Sequence, residues 1–111
     1  MKLQSLNKNF QFLRAYRSRK CYVSPLFVTY VVSKKGGGVR LGITTGKKVG
    51  CAVRRSRARR VIREAFRPCF PLVGGYDIVF VARTRTPEMK STTLIPVVRR
   101  HLTEMGVITD G

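Results

Sequence analysis

Between Val53 and Arg67 the chain carries five apolar residues, Ala58, Val61, Ile62, Ala65 and Phe66, at helical spacing among seven arginines. Wound at about 100° per residue, the five gather on one side, while Arg57, Arg59, Arg60, Arg63 and Arg67 fall opposite. This predicts an amphipathic helix over Val53–Arg67, stopped by Pro68 and Pro71. Glu64 is the only acid in the segment. Solvated helix faces ordinarily mix Glu with Lys at i,i+4 spacing, whereas this one repels itself. A fold that contains it needs an apolar layer on one side and a polyanion on the other. Arginine suits the second need, because its planar fork of donors matches phosphate and stacks on bases. The alternative, a merely solvated face, leaves the repulsion uncompensated.

The whole chain repeats that imbalance. Twenty-three Lys and Arg face five acids, a net charge of +18, which destabilises a compact state unless a polyanion is the normal partner. The acids, Glu64, Asp77, Glu88, Glu104 and Asp110, are scattered, which argues against paired-carboxylate chemistry and carboxylate metal clusters. At 111 residues and 43% apolar, residues 1–111 fit one domain with its own core. The longest apolar run, Ile78–Ala82, is far short of the ~20 residues of a membrane helix, and the first residues do not read as a signal peptide. Cys21, Cys51 and Cys69 are odd in number and widely spaced, so they are read as small buried thiols in a reducing cytoplasm rather than as a zinc site or a disulfide framework. The expected setting is cytoplasmic, with no membrane partner.

Along the chain, a first helix is expected from Asn7 to Arg19, capped by Asn7 or Asn9, with Phe10 and Leu13 on its apolar side and Arg14 and Arg17 on its basic side. Leu26–Ser33 reads as a strand after the Ser24-Pro25 break. Lys34–Gly38 reads as a turn, and Val39, Leu41 and Ile43 alternate as a second strand, the two forming an antiparallel hairpin. Thr45–Gly50 is a basic loop bearing Lys47 and Lys48. Asp77–Ala82 has the near-continuous apolar pattern of a strand covered on both faces. The last helix is expected over Thr93–Met105, with Pro96 in its first turn and Gly106 as its stop. The order α-β-β-α-β-α is that of a small α+β two-layer sandwich, with helices packed on a mixed or antiparallel sheet.

Few residues offer chemistry of their own. Gly42-Ile-Thr-Thr-Gly46-Lys47-Lys48 fails as a nucleotide P-loop, with three residues between the glycines and Lys48 in the Ser/Thr position. His101, the only histidine, lies on the apolar-leaning side of the last helix and is read as structural, so no nucleophilic triad assembles. Phe12 and Tyr16 are i,i+4 neighbours on the first helix, and Tyr30 lies in the first strand. Beside so many cations they suit stacking of single-stranded bases, although each aromatic alone fits a core equally well.

From Leu41 to Phe66 the chain reads LGITTGKKVGCAVRRSRARRVIREAF. This segment resembles the protein subunit of bacterial ribonuclease P. Arg55-Ser56-Arg57, Arg59-Arg60 and Arg63-Glu64 stand in the family's basic helix pattern, led in by Lys47-Lys48-Val49-Gly50. Ser56 and Cys51 stand where the pattern commonly has asparagine, and Arg54 where an apolar residue is usual. The resemblance implies a left-handed βαβ crossover through the second helix, against the usual hand. It implies a monomer, apart from the ribonucleoprotein, that binds the catalytic ribonuclease P RNA. That RNA, with Mg2+ bound mainly through it, cleaves precursor tRNA to give the mature 5′ end. Phe12, Tyr16 and Tyr30 are then expected to line a cleft for the single-stranded 5′ leader. Arg55, Ser56, Arg57, Arg59, Arg60, Arg63 and Arg67, with Lys47 and Lys48, are expected to face RNA. No protein side chain is expected to be catalytic. A ribosomal protein or RNA chaperone would explain the charge as well, but not the aromatic pair; a stand-alone nuclease lacks the acids it would need.

Overall fold

The computed structural model describes residues 4–6, 8–18, 20–33, 38–72 and 75–108. Its elements are β1 (Gln4–Ser5), α1 (Asn9–Arg17), β2 (Cys21–Val23), β3 (Phe27–Ser33), β4 (Val39–Thr44), α2 (Ala52–Phe66), β5 (Tyr76–Ala82) and α3 (Ser91–Glu104). Short 3-10 turns occupy Lys47–Val49, Arg67–Leu72 and Thr86–Glu88. The five strands form one mixed sheet in the order β1-β4-β5-β3-β2.

β5 organises the sheet. Its apolar residues point to both faces and are buried on both, so it needs a neighbour on each side. It runs antiparallel to β3 and parallel to β4, which α2 joins to it as a crossover. The expected β3–β4 hairpin is therefore absent: β5 inserts between the two strands, and pairing with a doubly buried strand wins over pairing with the neighbour in sequence. Of the predicted turn at Lys34–Gly38, residues 34–37 lie outside the described residues. β1 and β2, two and three residues long, are edge strands that periodicity could not reveal.

Helices cover both faces. On one, Phe27, Val31, Leu41, Ile78 and Phe80 pack against Ala58, Val61, Ile62, Ala65 and Phe66 of α2 and Leu94, Val98 and Leu102 of α3. The apolar stripe read from the sequence is thus the buried face of α2. On the other, Leu6, Ala15 and Val79 form a smaller cluster under α1, which adds a partial third layer to the expected sandwich. No helix among the described residues is long and apolar enough to cross a membrane.

Four local expectations shift. Lys8 is the N-cap of α1, and its N–H donates to Gln11 Oε1 at 3.1 Å; Asn9 is the first helical residue, while Asn7 and Arg19 lie outside the described residues. Phe10 and Leu13 are exposed, because Phe12, Ala15 and Tyr16 take the face against the sheet. α3 starts at Ser91, so Pro96 sits in the second turn, where it has no N–H to donate to the Thr92 carbonyl. The stop is as expected: Gly106 has φ +76°, and the N–H groups of Gly106 and Val107 donate to Thr103 and Leu102 carbonyls, a Schellman closure. Of the cysteines only Cys69 is buried. Cys21 is exposed on the edge strand, and Cys51 is exposed at the N-cap of α2, where its side chain makes no capping hydrogen bond.

Candidate nucleic-acid interface

Tyr30, Val79 and Gly42 stand opposite one another across β3, β5 and β4, forming a row beneath α1. Phe12 and Tyr16 descend onto this row, one turn apart on the helix. Gly42 makes room for Phe12: a Cβ there would lie 2.6 Å from Phe12 Cε1. Tyr16 meets Tyr30 edge to face, ring centroids 5.1 Å apart, and its hydroxyl donates to Thr44 Oγ1 at 3.4 Å. All three aromatics are half-buried. They pack against the small cluster and remain partly exposed.

The arginines of α2 and its C-cap, Arg67, divide into two sets. In the first, Nε of Arg54 donates to the Val49 carbonyl at 3.1 Å, and Nε of Arg55 to the Gly50 carbonyl at 3.0 Å. Arg57 Nε donates to the Pro87 carbonyl at 2.6 Å, and Arg59 Nη1 to Thr45 Oγ1 at 2.8 Å, with Nη2 reaching Ser56 Oγ at 3.2 Å. Arg54 also pairs loosely with Glu88 at 3.4 Å. The second set, Arg60, Arg63 and Arg67, is exposed. The single ladder of five expected from the helical wheel is therefore narrower: Arg57 and Arg59 lean to opposite flanks, because protein oxygens lie within reach of each. Arg55 and Arg57 are each held through Nε, whereas Arg54 and Arg59 each use two nitrogens. Lys47 and Lys48 are exposed on the 3-10 turn that precedes α2.

The two regions lie on opposite faces of the sheet and meet at the end of β4. Thr44 accepts from Tyr16, and its neighbour Thr45 accepts from Arg59. Reading by residue class missed Gly42, Thr44 and Thr45. An isolated glycine inside a strand pattern does signal a close approach, so Gly42 was in principle detectable; the threonines carried no signal.

His101 stays out of this interface. It is buried under α3, its Nδ1 2.8 Å from Thr29 Oγ1, and burial lowers its pKa to about 4, so the ring is neutral at physiological pH. Asp77, the one buried acid among the described residues, is taken by Arg40 through two hydrogen bonds of 2.7 Å. Among the described residues no group of three or more His, Cys, Asp or Glu side chains is placed to hold a metal ion.

Known proteins share both sequence and fold with this one. A family model described as Ribonuclease P matches residues 1–106. A ribonuclease P protein component of Clostridium novyi is 42% identical over 91 residues, 78% of this chain and 80% of its own. That of Alkaliphilus oremlandii is 33% identical over 110 residues, covering 98% and 96%. The solved RNase P protein of Staphylococcus aureus superposes with a TM-score of 0.84 at 29% identity, over 97% of this chain and all of its own. The basic helix, the aromatics under α1 and a match over almost the whole length agree, and the chain belongs to the ribonuclease P protein family.

Proposed function

We propose that this protein binds the catalytic RNA of ribonuclease P through α2 and holds the 5′ leader of precursor tRNA against α1. In this reading Arg60, Arg63 and Arg67 supply mobile phosphate contacts. Arg55, Arg57 and Arg59 supply fixed ones, Ser56 steadies Arg59, and Lys47 and Lys48 extend the charge. Phe12, Tyr16 and Tyr30 offer ring surface to unpaired leader bases. Family membership makes the protein part of an endoribonuclease that processes tRNA. The protein's own part is positioning, since its few carboxylates are scattered or already paired. Mg2+ held mainly by the RNA would supply the charge stabilisation and activated water for phosphodiester hydrolysis.

The observation that carries this reading is the junction at Thr44–Thr45, which ties the aromatic site to the basic helix. A protein so built can grip a folded RNA and a single strand at once. Reconstitution tests it: the purified protein is mixed with a bacterial ribonuclease P RNA at low Mg2+, and 5′ cleavage of precursor tRNA is assayed with each component alone as control. Cleavage is expected from the mixture and not from the protein alone. Cleavage by the protein alone would point to a nuclease. Tight RNA binding without stimulation would point to a general RNA-binding module.

A further inference from the structure

A groove of about 630 Å³ lies between the β2–β3 hairpin and α3, on the face of the sheet away from α1. Tyr22, Leu26, Pro96 and Val97 give it apolar walls, and the exposed Arg85 and Arg100 border it. His101, 1% exposed, forms part of its wall. The imidazole Nδ1 is engaged by Thr29, whereas Nε2 is buried with no hydrogen-bond partner among the described residues. Thr29 is fully buried, and its hydroxyl proton needs an acceptor; the one it meets among the described residues is His101 Nδ1. With Thr29 as the donor, the tautomer assigned to the ring carries its hydrogen on Nε2, an unused donor. Leaving such a donor unmatched carries its full desolvation penalty, and native proteins leave few.

We propose that this groove is a nucleotide-binding site, with the base between Tyr22 and α3, an acceptor atom of the base on His101 Nε2–H, and the phosphate at Arg85 and Arg100. Each feature answers one part of the ligand. Flat apolar walls fit an aromatic ring, every base edge carries a hydrogen-bond acceptor, and guanidinium forks fit phosphate. Tyr22 is half-buried with its ring centroid 4.5 Å from that of the imidazole, and the proposal requires it to turn aside to admit the base. The site is separate from the leader cleft and does not rest on it. The nucleotide is either a free mononucleotide or one residue of an RNA strand.

Because the chain has a single histidine, its ring ¹H–¹⁵N signals report on the groove without ambiguity. The full chain carrying Phe12→Ala and Tyr16→Ala, which remove the competing cleft, is titrated with uridine 5′-monophosphate and, separately, with a uridine pentanucleotide. An Nε2–H signal in the free protein and a saturable shift with either probe are expected. Arg100→Glu and Val97→Trp should each weaken that binding by about tenfold or more, with the circular dichroism spectrum unchanged. A shift with the mononucleotide assigns a free nucleotide; a shift with the pentanucleotide alone assigns a strand residue. No shift with either probe at millimolar concentration overturns the proposal. So does an equal shift with inorganic phosphate alone, or binding that neither groove variant alters.

Discussion

Replacing Gly42 with alanine places a methyl group against the ring of Phe12. The new Cβ would stand 2.6 Å from Cε1 and 2.9 Å from Cζ of that ring, and 3.0 Å from Leu6 Cδ1. Carbon atoms rest about 3.5–4.0 Å apart, so the ring must retreat by about 1 Å. Gly42 is not among the positive-φ glycines, so alanine fits the backbone itself. The loss of unfolded-state freedom then favours the variant by about 0.4–1 kcal/mol. Overpacking opposes it by about 1–3 kcal/mol, and overpacking wins. A net loss of about 1 kcal/mol lowers the melting temperature by about 4–8 °C, leaving a folded protein whose cleft has changed. Stacking is worth about 1–3 kcal/mol per base, so misplacing one platform should weaken holoenzyme binding of precursor tRNA by about 5- to 10-fold. Mature tRNA, which lacks the leader, should bind as before. Fluorescence anisotropy with labelled precursor and mature tRNA reads both affinities. The same change in a Phe12→Ala background should cost little more, because the ring it displaces is gone. Equal losses in the two backgrounds would refute the claim that Gly42 acts through Phe12.

Other perturbations probe the rest of the account. Asp77→Ala strands the Arg40 guanidinium between β4 and β5; breaking a pair whose acid is so deeply buried should cost about 3 kcal/mol in urea denaturation, and a loss under 1 kcal/mol would contradict that. Burial lowers the His101 pKa from 6.5 to about 4, so the unfolded chain takes up a proton that the folded one refuses. Stability is full above pH 6.5 and falls as pH drops towards 4, by about 3 kcal/mol at about 1.4 kcal/mol per pH unit. The advantage of the native chain over His101→Gln should shrink by that amount between pH 7.5 and 4, and a constant gap would show that the ring titrates normally. Arg63→Ala removes an exposed guanidinium and should flatten the salt dependence of RNA binding by about one phosphate contact; an unchanged slope would place Arg63 in plain solvent.

How much of this was legible depended on how many residues carried each signal. α2 and β5 were read correctly because five buried positions at one period and a run apolar on both faces leave few alternatives. The pairing of β3 with β5 was not legible, since sequence order favours a hairpin and only the burial of both β5 faces reveals that it must lie inside. α1 misled because a nine-residue helix can offer two apolar arcs, Phe10 with Leu13 and Phe12 with Tyr16. Which arc turns inward is decided by Gly42, thirty residues from Phe12, which leaves space for a ring on one side of the sheet. The arginines were legible as a group, but their division was not, because Pro87, Thr45, Val49 and Gly50 supply the anchoring oxygens through tertiary contact.

The most direct test of the central claim compares affinities of the reconstituted holoenzyme for precursor tRNA with a leader and for mature tRNA, in the native protein and in Phe12→Ala and Tyr16→Ala. The account predicts that both variants lose about tenfold or more for the precursor and almost nothing for the mature form. Equal losses for the two ligands, or none for either, would contradict a leader site under α1.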